Sequence, residues 1–449
     1  MIVLFTMYIL SADFGTSSLK LKLLDESLAI LRSIRVPYRY EVLERVHVQI
    51  DPDTVFKAFV NGIHRFDDFL IKKVEALSLC VLCPSLIAMD TQGRPLYPAI
   101  IHLDRRSEVQ AKQALEKVGK NRFLEINGNL PFPGGISVTS ILWLKEHHPD
   151  LYSNASIFGH LNTYLHKIFT GRFAIDPTNA SFTGLYETIK RGGWSKELCE
   201  ILDIDRAKLP CIVPSSDVVG RLNRQASSYT GLMEGIPVVM GANDTSSAAL
   251  GAGAVLPGSI LNISGSNEII TITTDRPCPH ERVYLRTHAV KDRWLILAIT
   301  IGGGALEWFR RGFFSEMEPR RFYDHYLPDF VQNRLSETDV VFSPYLAGDR
   351  HSIAQKKASF SGITLDSGRE DFLAALLLGI FEPIHMVLEI YEEKVDLQKV
   401  ILLTGGMVDD AYFRFKAKYF KDFSFKRVDE ASTLGNGKLA LMGLGLDTQ

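Results

Sequence analysis

The sequence predicts an α/β protein with mixed sheets, built as two related halves facing each other across a cleft. Two observations carry this. An apolar run that ends in a small-residue turn and resumes as a second strand occurs twice, over residues 7–23 and again over 259–273. The chain has 449 residues, too many for one hydrophobic core and enough for two sizeable domains.

Residues 7–12 are mostly apolar and close on the turn Asp13-Phe14-Gly15-Thr16-Ser17-Ser18. Leu19, Leu21 and Leu23 then alternate with Lys20 and Lys22, the period of a half-buried strand. The run 28–36 completes a meander. Residues 51–74 carry helical spacing through Val55, Phe59 and Ile63, and 74–82 reads as a buried strand. Three strands, a helix and a strand make an α/β layout. The later half repeats the opening as strand 259–264, turn Gly265-Ser266-Asn267 and strand 268–273, with a further strand over 294–301 reaching Gly302-Gly303-Gly304. A long helix is predicted from Ser367 to about Lys394, opened by a Ser367-x-x-Glu370 capping box and kinked at Pro383. The junction falls just after the strand 236–244, dividing the chain into 1–245 and 246–449. The apolar start, residues 1–10, lacks the basic flank of a signal peptide and reads as a core strand, with Met7 as a second possible start.

Hydrophobic residues make up 46% and charged residues 23%, ordinary for a globular chain. Lys plus Arg total 50 against 52 for Asp plus Glu, and the net charge of -2 argues against a nucleic acid or membrane held by bulk charge. Uninterrupted apolar stretches fall short of the ~20 residues that cross a bilayer. Cys80, Cys83, Cys199, Cys211 and Cys278 are odd in number and scattered, which suits a reducing cytoplasm. Cys80-x-x-Cys83 lies in or beside a predicted strand, where residues three apart face opposite sides, so a metal pair is disfavoured.

Three constellations carry chemistry. In the first turn, Gly15, Thr16 and Ser17 let amides and hydroxyls approach phosphate oxygens. Asp13 stands where it could hold Mg²⁺, and Lys20 adds positive charge. An ordinary tight turn with a solvated lysine has the same composition. In the second, a buried strand delivers Asp244 to the start of a helix of small residues. That carboxylate suits a general base, or simply a helix N-cap. The third is a set of glycine turns at strand ends: Ser264-Gly265-Ser266, Gly302-Gly303-Gly304 and Thr404-Gly405-Gly406. Glycines there permit close backbone approach, and helix N-termini favour anions, although such turns also serve packing alone.

The order of these elements resembles the FGGY family of carbohydrate kinases, over nearly the whole chain and most closely in its xylulokinase and gluconokinase branches. Residues 98–106 are similar to the family's Trp-x-Asp-x-Arg stretch, 342–350 to its Pro-Tyr-Leu-x-Gly-Glu-Arg loop, and 430–440 to its closing helix. The resemblance implies two actin-like (ribonuclease H-like) ATPase domains flanking a central cleft, with the sugar and the catalytic base in the first domain and the nucleotide in the second. It implies ATP and Mg²⁺, a small sugar or polyol acceptor, with a pentulose such as xylulose ahead of gluconate or another aldonate, and a possible homodimer. By the same resemblance Asp244 is the base and Asp13 the metal-associated acid. Gly15, Thr16, Ser17 and Lys20 lie by the phosphates, Gly265, Ser266, Gly303, Gly405 and Gly406 border the nucleotide, and Asn436 is near the adenine. Asp104, Cys83 and Pro84 lie on the sugar side.

Some positions depart from the pattern. Val81-Leu82-Cys83-Pro84-Ser85 replaces the xylulokinases' Gly-Gln-Met-His-Gly segment, so the substrate-contacting histidine is missing and xylulose is in doubt. Met407 stands for the third glycine of the late turn, which would alter the adenine pocket, and His102 stands for the tryptophan. His102 is equally readable as a half-buried strand residue, and Asp104 with Arg106 as a surface ion pair. The rewritten segment also admits a non-catalytic binding protein that keeps the fold.

Overall fold

The computed structural model describes residues 7–44, 46–335, 337–406 and 410–446. In the first half, β1 (Tyr8–Phe14), β2 (Ser18–Leu24) and β3 (Ile30–Pro37) form the antiparallel meander, with Asp13 opposite Lys20 across the first turn. The apolar face of α1 (Pro52–Ile63) covers them, and its first turn is capped by Asp51, which accepts from the Asp53 and Thr54 amides. The chain then returns as β4 (Val74–Val81), parallel to β1. β5 (Val218–Arg221) and β6 (Pro237–Asn243) complete the order β5-β6-β4-β1-β2-β3, and α2 (Asp244–Ala252) follows β6 without a loop. A five-stranded sheet assembled from residues 41–159 sits beside this frame.

The second half comprises β7 (Ile260–Ser264), β8 (Asn267–Thr274), β9 (Tyr284–Thr287), β10 (Trp294–Ile301), α3 (Gly303–Phe313), α4 (Arg369–Glu392), β11 (Val400–Thr404), α5 (Asp410–Tyr419), β12 (Ser424–Arg427) and α6 (Ala431–Gly443). Its sheet runs β9-β10-β8-β7-β11-β12, with β7, β8 and β10 antiparallel, β11 parallel to β7, and β12 parallel to β11. That is the first sheet's wiring again: β1 matches β7, β2 matches β8, β3 matches β10, β4 matches β11 and β6 matches β12. The helices that follow, α2 and α6, are also counterparts. The two actin-like domains are therefore a repeat of topology.

These two counterpart helices join the halves. A Cβ on Gly251 would collide with the backbone oxygen of Ala431, and one on Gly435 with that of Ser247. Backbone meets backbone there, which explains the run of small residues in both helices. The expected division at 245/246 falls inside α2. A third core cluster spans the halves as well, packing Trp143 and Phe132 of the first with Tyr284 and Leu297 of the second.

Two local expectations are corrected. The cap of α4 is set one residue later than predicted: the Gly368 amide donates to Asp371 at 2.8 Å, while Glu370 turns away to Tyr326 and Arg334. Ser367 instead accepts from the Thr364 amide within the preceding turn. The helix continues as one element through Pro383. Among the described residues α4 alone is long and apolar enough to cross a membrane, and most of its apolar residues are buried in the second core. Residues 1–6, with Met1, and Met407 lie outside the described residues.

Candidate active site

Asp13 and Asp244, separated by most of the first half in sequence, line one cavity of ≈ 530 Å³ together with Gly15, Lys20, Gly405 and Ser432. Sheet wiring brings them together. β1 and β6 both run parallel to β4, one on each side of it, so the ends carrying Asp13 and Asp244 open onto the same edge. Ligands commonly bind beyond such strand ends in α/β folds.

Asp244 is not the cap of its helix. Asn243 takes that role, accepting from the Ser246 amide at 2.8 Å, and Asp244 occupies the first helical position. The Asp244 Oδ1 accepts from the Thr245 amide (2.7 Å) and hydroxyl (3.2 Å), and Oδ2 has no hydrogen-bond donor among the described residues. Burial, then the nearby charge of Asp13, pushes the Asp244 carboxyl up to about 6. Asp13 accepts from Lys20 Nζ (3.5 Å) and Ser432 Oγ (3.0 Å), both on Oδ2, which leaves Oδ1 for a ligand. Asp13 in turn raises the Lys20 ammonium above its ordinary range. Lys22 pairs with Glu430, so the start of α6 is tied to the β1–β2 hairpin twice across the cleft.

The glycine turns divide. Gly405, in a left-handed conformation (φ 117°), presses against the Ser264 backbone and borders the cavity with Gly406. Ser266 and Gly303 line a neighbouring pocket with Trp308 and Arg311. The first amides of α3 do not point at open space: Gly303 donates to the Gly265 carbonyl (2.9 Å) and Gly304 to that of Ser266 (3.1 Å). Two amides of the expected anion site are thus engaged by the turn itself. Thr16 and Ser17 lie on the first turn, Ser17 exposed, and only Gly15 of that trio borders the cavity.

Asn436, expected near the adenine, borders neither of these two cavities. It is fully buried, donating to Ser11 Oγ (2.9 Å) and the Ser78 carbonyl (2.9 Å) and accepting from Ser78 Oγ (2.6 Å), so it stitches α6 to β1 and β4. The alternative reading of Asp104 and Arg106 as a surface ion pair is corrected. Neither residue is a surface group: both side chains are buried, and the carboxylate is consumed by Arg106 (2.8 Å), the Val48 amide (2.6 Å) and the Arg106 amide (2.9 Å). His102 is buried rather than half-buried. Cys83 and Pro84 follow β4, and Cys83 Sγ lies 3.5 Å from His160 Nδ1, whose Nε2 is 2.7 Å from Ser137 Oγ. Burial holds that imidazole neutral, pushed down to about 3. A histidine absent from the 81–85 segment thus stands beside it from elsewhere in the chain. All five cysteines are free thiols.

Sequence reasoning missed one network. Lys416 on α5 is fully buried and donates to Asn262 (2.5 Å), Glu268 (2.9 Å) and Ser264, directly beneath the Ser264-Gly265-Ser266 turn, and Tyr412 donates to the other Glu268 oxygen. Lys416 is one of two lysines in this helix, beside Lys418, and nothing in the sequence marks which of them is buried.

Residues 8–251 match the FGGY family of carbohydrate kinases, N-terminal domain. The chain is 24% identical to a xylulose kinase of Staphylococcus xylosus over 444 residues, covering 97% of this chain and 91% of that one. It is 26% identical to a gluconokinase of Bacillus subtilis over 421 residues, covering 91% and 82%. A ligand-bound xylulose kinase from Lactobacillus acidophilus superposes with a TM-score of 0.87 at 22% identity, covering 99% and 90%, which establishes the shared fold. With a family match over more than half its length and the twice-repeated sheet, this chain belongs to the FGGY family of carbohydrate kinases and is a carbohydrate phosphotransferase.

Proposed function

We propose that this protein transfers the γ-phosphoryl group of ATP to one hydroxyl of a small polyhydroxylated acceptor, with Asp244 as general base and Asp13 as the acid beside the phosphates. One observation carries the reading: the two carboxylates share a cavity, and Asn243 relieves Asp244 of the capping role that would otherwise account for it. In the step, the acceptor oxygen bonds to the γ-phosphorus, the bond from phosphorus to the ADP oxygen breaks, and the hydroxyl proton passes to Asp244. Such transfers depend chiefly on positioning and on charge stabilisation.

Mg²⁺ suits this cleft, since it is commonly held by one or two carboxylates plus substrate phosphates, and Asp13 keeps one oxygen free. Bound there, the ion would neutralise phosphate charge. Lys20 and the backbone of Gly15, Gly405 and Gly406 face the phosphates in this reading, with Ser266 and Gly303 toward the nucleoside. The first half, through α2, supplies base and sugar side, and the second half the nucleotide side.

Xylulose and gluconate, the acceptors named for the relatives, are both small enough for such a cleft, and they differ in charge. Supplying Mg-ATP with ketoses, alditols and aldonates while following ADP release tests the function. Release that no acceptor stimulates would reject it.

A further inference from the structure

Three guanidinium groups gather beside the Asp244 end of the cleft without a carboxylate partner. Arg286 lies on β9, and its neighbour Thr287 accepts from Ser246 Oγ of α2 (3.4 Å), two residues beyond Asp244. Arg286 is 1% exposed, stacked 3.8 Å over Phe182 and 4.6 Å from the Tyr284 ring centre. Its Nη atoms donate to the carbonyls of Ser181 (2.8 Å) and Gly135 (3.0 Å), and its Nε has no acceptor. Arg105, 9% exposed, donates through Nη1 to the His102 and Asp104 carbonyls, and its Nε also lacks an acceptor. Tyr284 donates its hydroxyl to the main-chain carbonyl of Arg350, and the Arg350 side chain is near enough for its charge to act on the Tyr284 hydroxyl and to be opposed by that of Arg105.

No Asp or Glu forms an ion pair with any of the three among the described residues. The nearby carboxylates are engaged elsewhere: Asp349 with Lys356, Asp104 with Arg106, and Asp176 with Thr178, Asn162, Asn179 and Ser215. Asp244 is close enough to favour the charged form of Arg350 but makes no contact with it. Burial pushes Arg286 and Arg350 down to about 10. Like charges gathered in low dielectric are costly unless an anion joins them. His102 Nδ1 and His351 Nδ1 are further buried polar atoms here without partners.

We propose that the acceptor is a sugar acid whose carboxylate is held by Arg286, Arg350 and Arg105 while one of its hydroxyls faces Asp244. Each guanidinium has five N–H bonds, of which Arg105 and Arg286 each commit two to carbonyls, and the donors left over on them and on Arg350 face a planar anion with about four acceptor positions. Arg286, Arg105 and Arg350 are thus the residues that set specificity, and neutral pentuloses would leave the cluster uncompensated. The proposal rests on the kinase reading above.

The test compares acceptors of matched skeleton: D-gluconate with D-glucitol, D-xylonate with D-xylulose and xylitol, and glucose 6-phosphate as a phosphate monoester. Both ADP release and calorimetric binding with a non-hydrolysable ATP analogue are followed. An aldonate is expected to exceed its neutral partner in kcat/KM by about 100-fold. Arg286→Gln and Arg350→Gln should each cut that preference by roughly tenfold or more, the effect of one charge-assisted hydrogen bond. If Arg286→Gln does not fold by thermal melting, Arg350→Gln carries the comparison. Neutral sugars that turn over as well as the acids, or a preference unmoved in folded variants, would overturn the anion pocket and leave the kinase reading standing. A response to the phosphate ester and not to carboxylates would overturn the sugar-acid assignment. Aldonate binding without ADP release would uphold the pocket and reject the kinase reading, and no binding or turnover with any acceptor would end both.

Discussion

Replacing Asp244 by Asn is expected to stabilise the protein while stopping turnover. The Asp244 carboxyl is raised from 3.8 to about 6 by burial first and the charge of Asp13 second. A carboxyl pKa raised by folding means that the native state penalises the ion. Its contribution to stability is present in full below the unfolded value near 3.8 and is lost as pH rises through about 6. A gap of about two units corresponds to about 3 kcal/mol of penalty at pH 8. Asn carries no charge and can still accept from the Thr245 amide, so the variant avoids the penalty. With an unfolding entropy of ~2 cal/mol/K per residue, 449 residues give ~0.9 kcal/mol/K, and the gain raises Tm by about 3 °C. At pH 5 the wild-type carboxyl is largely protonated in the folded state, and the increment falls to roughly half. Scanning calorimetry of both proteins at pH 8 and pH 5 checks this beside a coupled ADP assay, in which the variant should lose about 10²–10⁴ in kcat. An Asn variant that melts below wild type at pH 8, or an increment as large at pH 5, would refute the electrostatic account of Asp244. Unchanged turnover would reject it as the base.

Wild-type turnover should fall about tenfold per unit below pH 6, where Asp244 takes up its proton. In Asp13→Asn the residual activity should keep its acid limb but shift it to lower pH, because a charge that raises the Asp244 pKa is gone; a pH–rate profile reads this directly. Lys416→Met strands Glu268 in the core and should cost about 3–5 kcal/mol in denaturant unfolding, with Lys416→Met/Glu268→Leu recovering most of it. Gly435→Ala drives a methyl into the Ser247 carbonyl where α2 and α6 cross, and should cost ~1–3 kcal/mol of stability by thermal melting.

Much of the frame was legible because it follows from local patterning. Alternation at Leu19, Leu21 and Leu23 marks β2, the helical spacing of Val55, Phe59 and Ile63 marks α1, and the small-residue turns announce where β1 and β7 end. Repetition of that order along the chain pointed to two halves over a cleft, and the resemblance to the kinase family paired Asp13 with Asp244 there. Each of these signals lies within a few residues of the feature it reports.

Other features depend on which side chains meet across long sequence separations, and patterning does not encode that. Whether Asp104 and Arg106 are a surface pair or a buried one turned on the strand that brings the Val48 amide to them. That the Asn436 amide is bonded to Ser11 and Ser78 follows from α6 meeting β1 and β4, more than three hundred residues away in sequence. Asn243 and Asp244 are both good N-caps, and the tertiary structure decided between them by aiming one at the Ser246 amide and the other at the cleft. The clustering of Arg105, Arg286 and Arg350 depends on three segments from both halves converging at Tyr284. A linear sequence supplies the charges, but only the fold determines whether each of them has a partner.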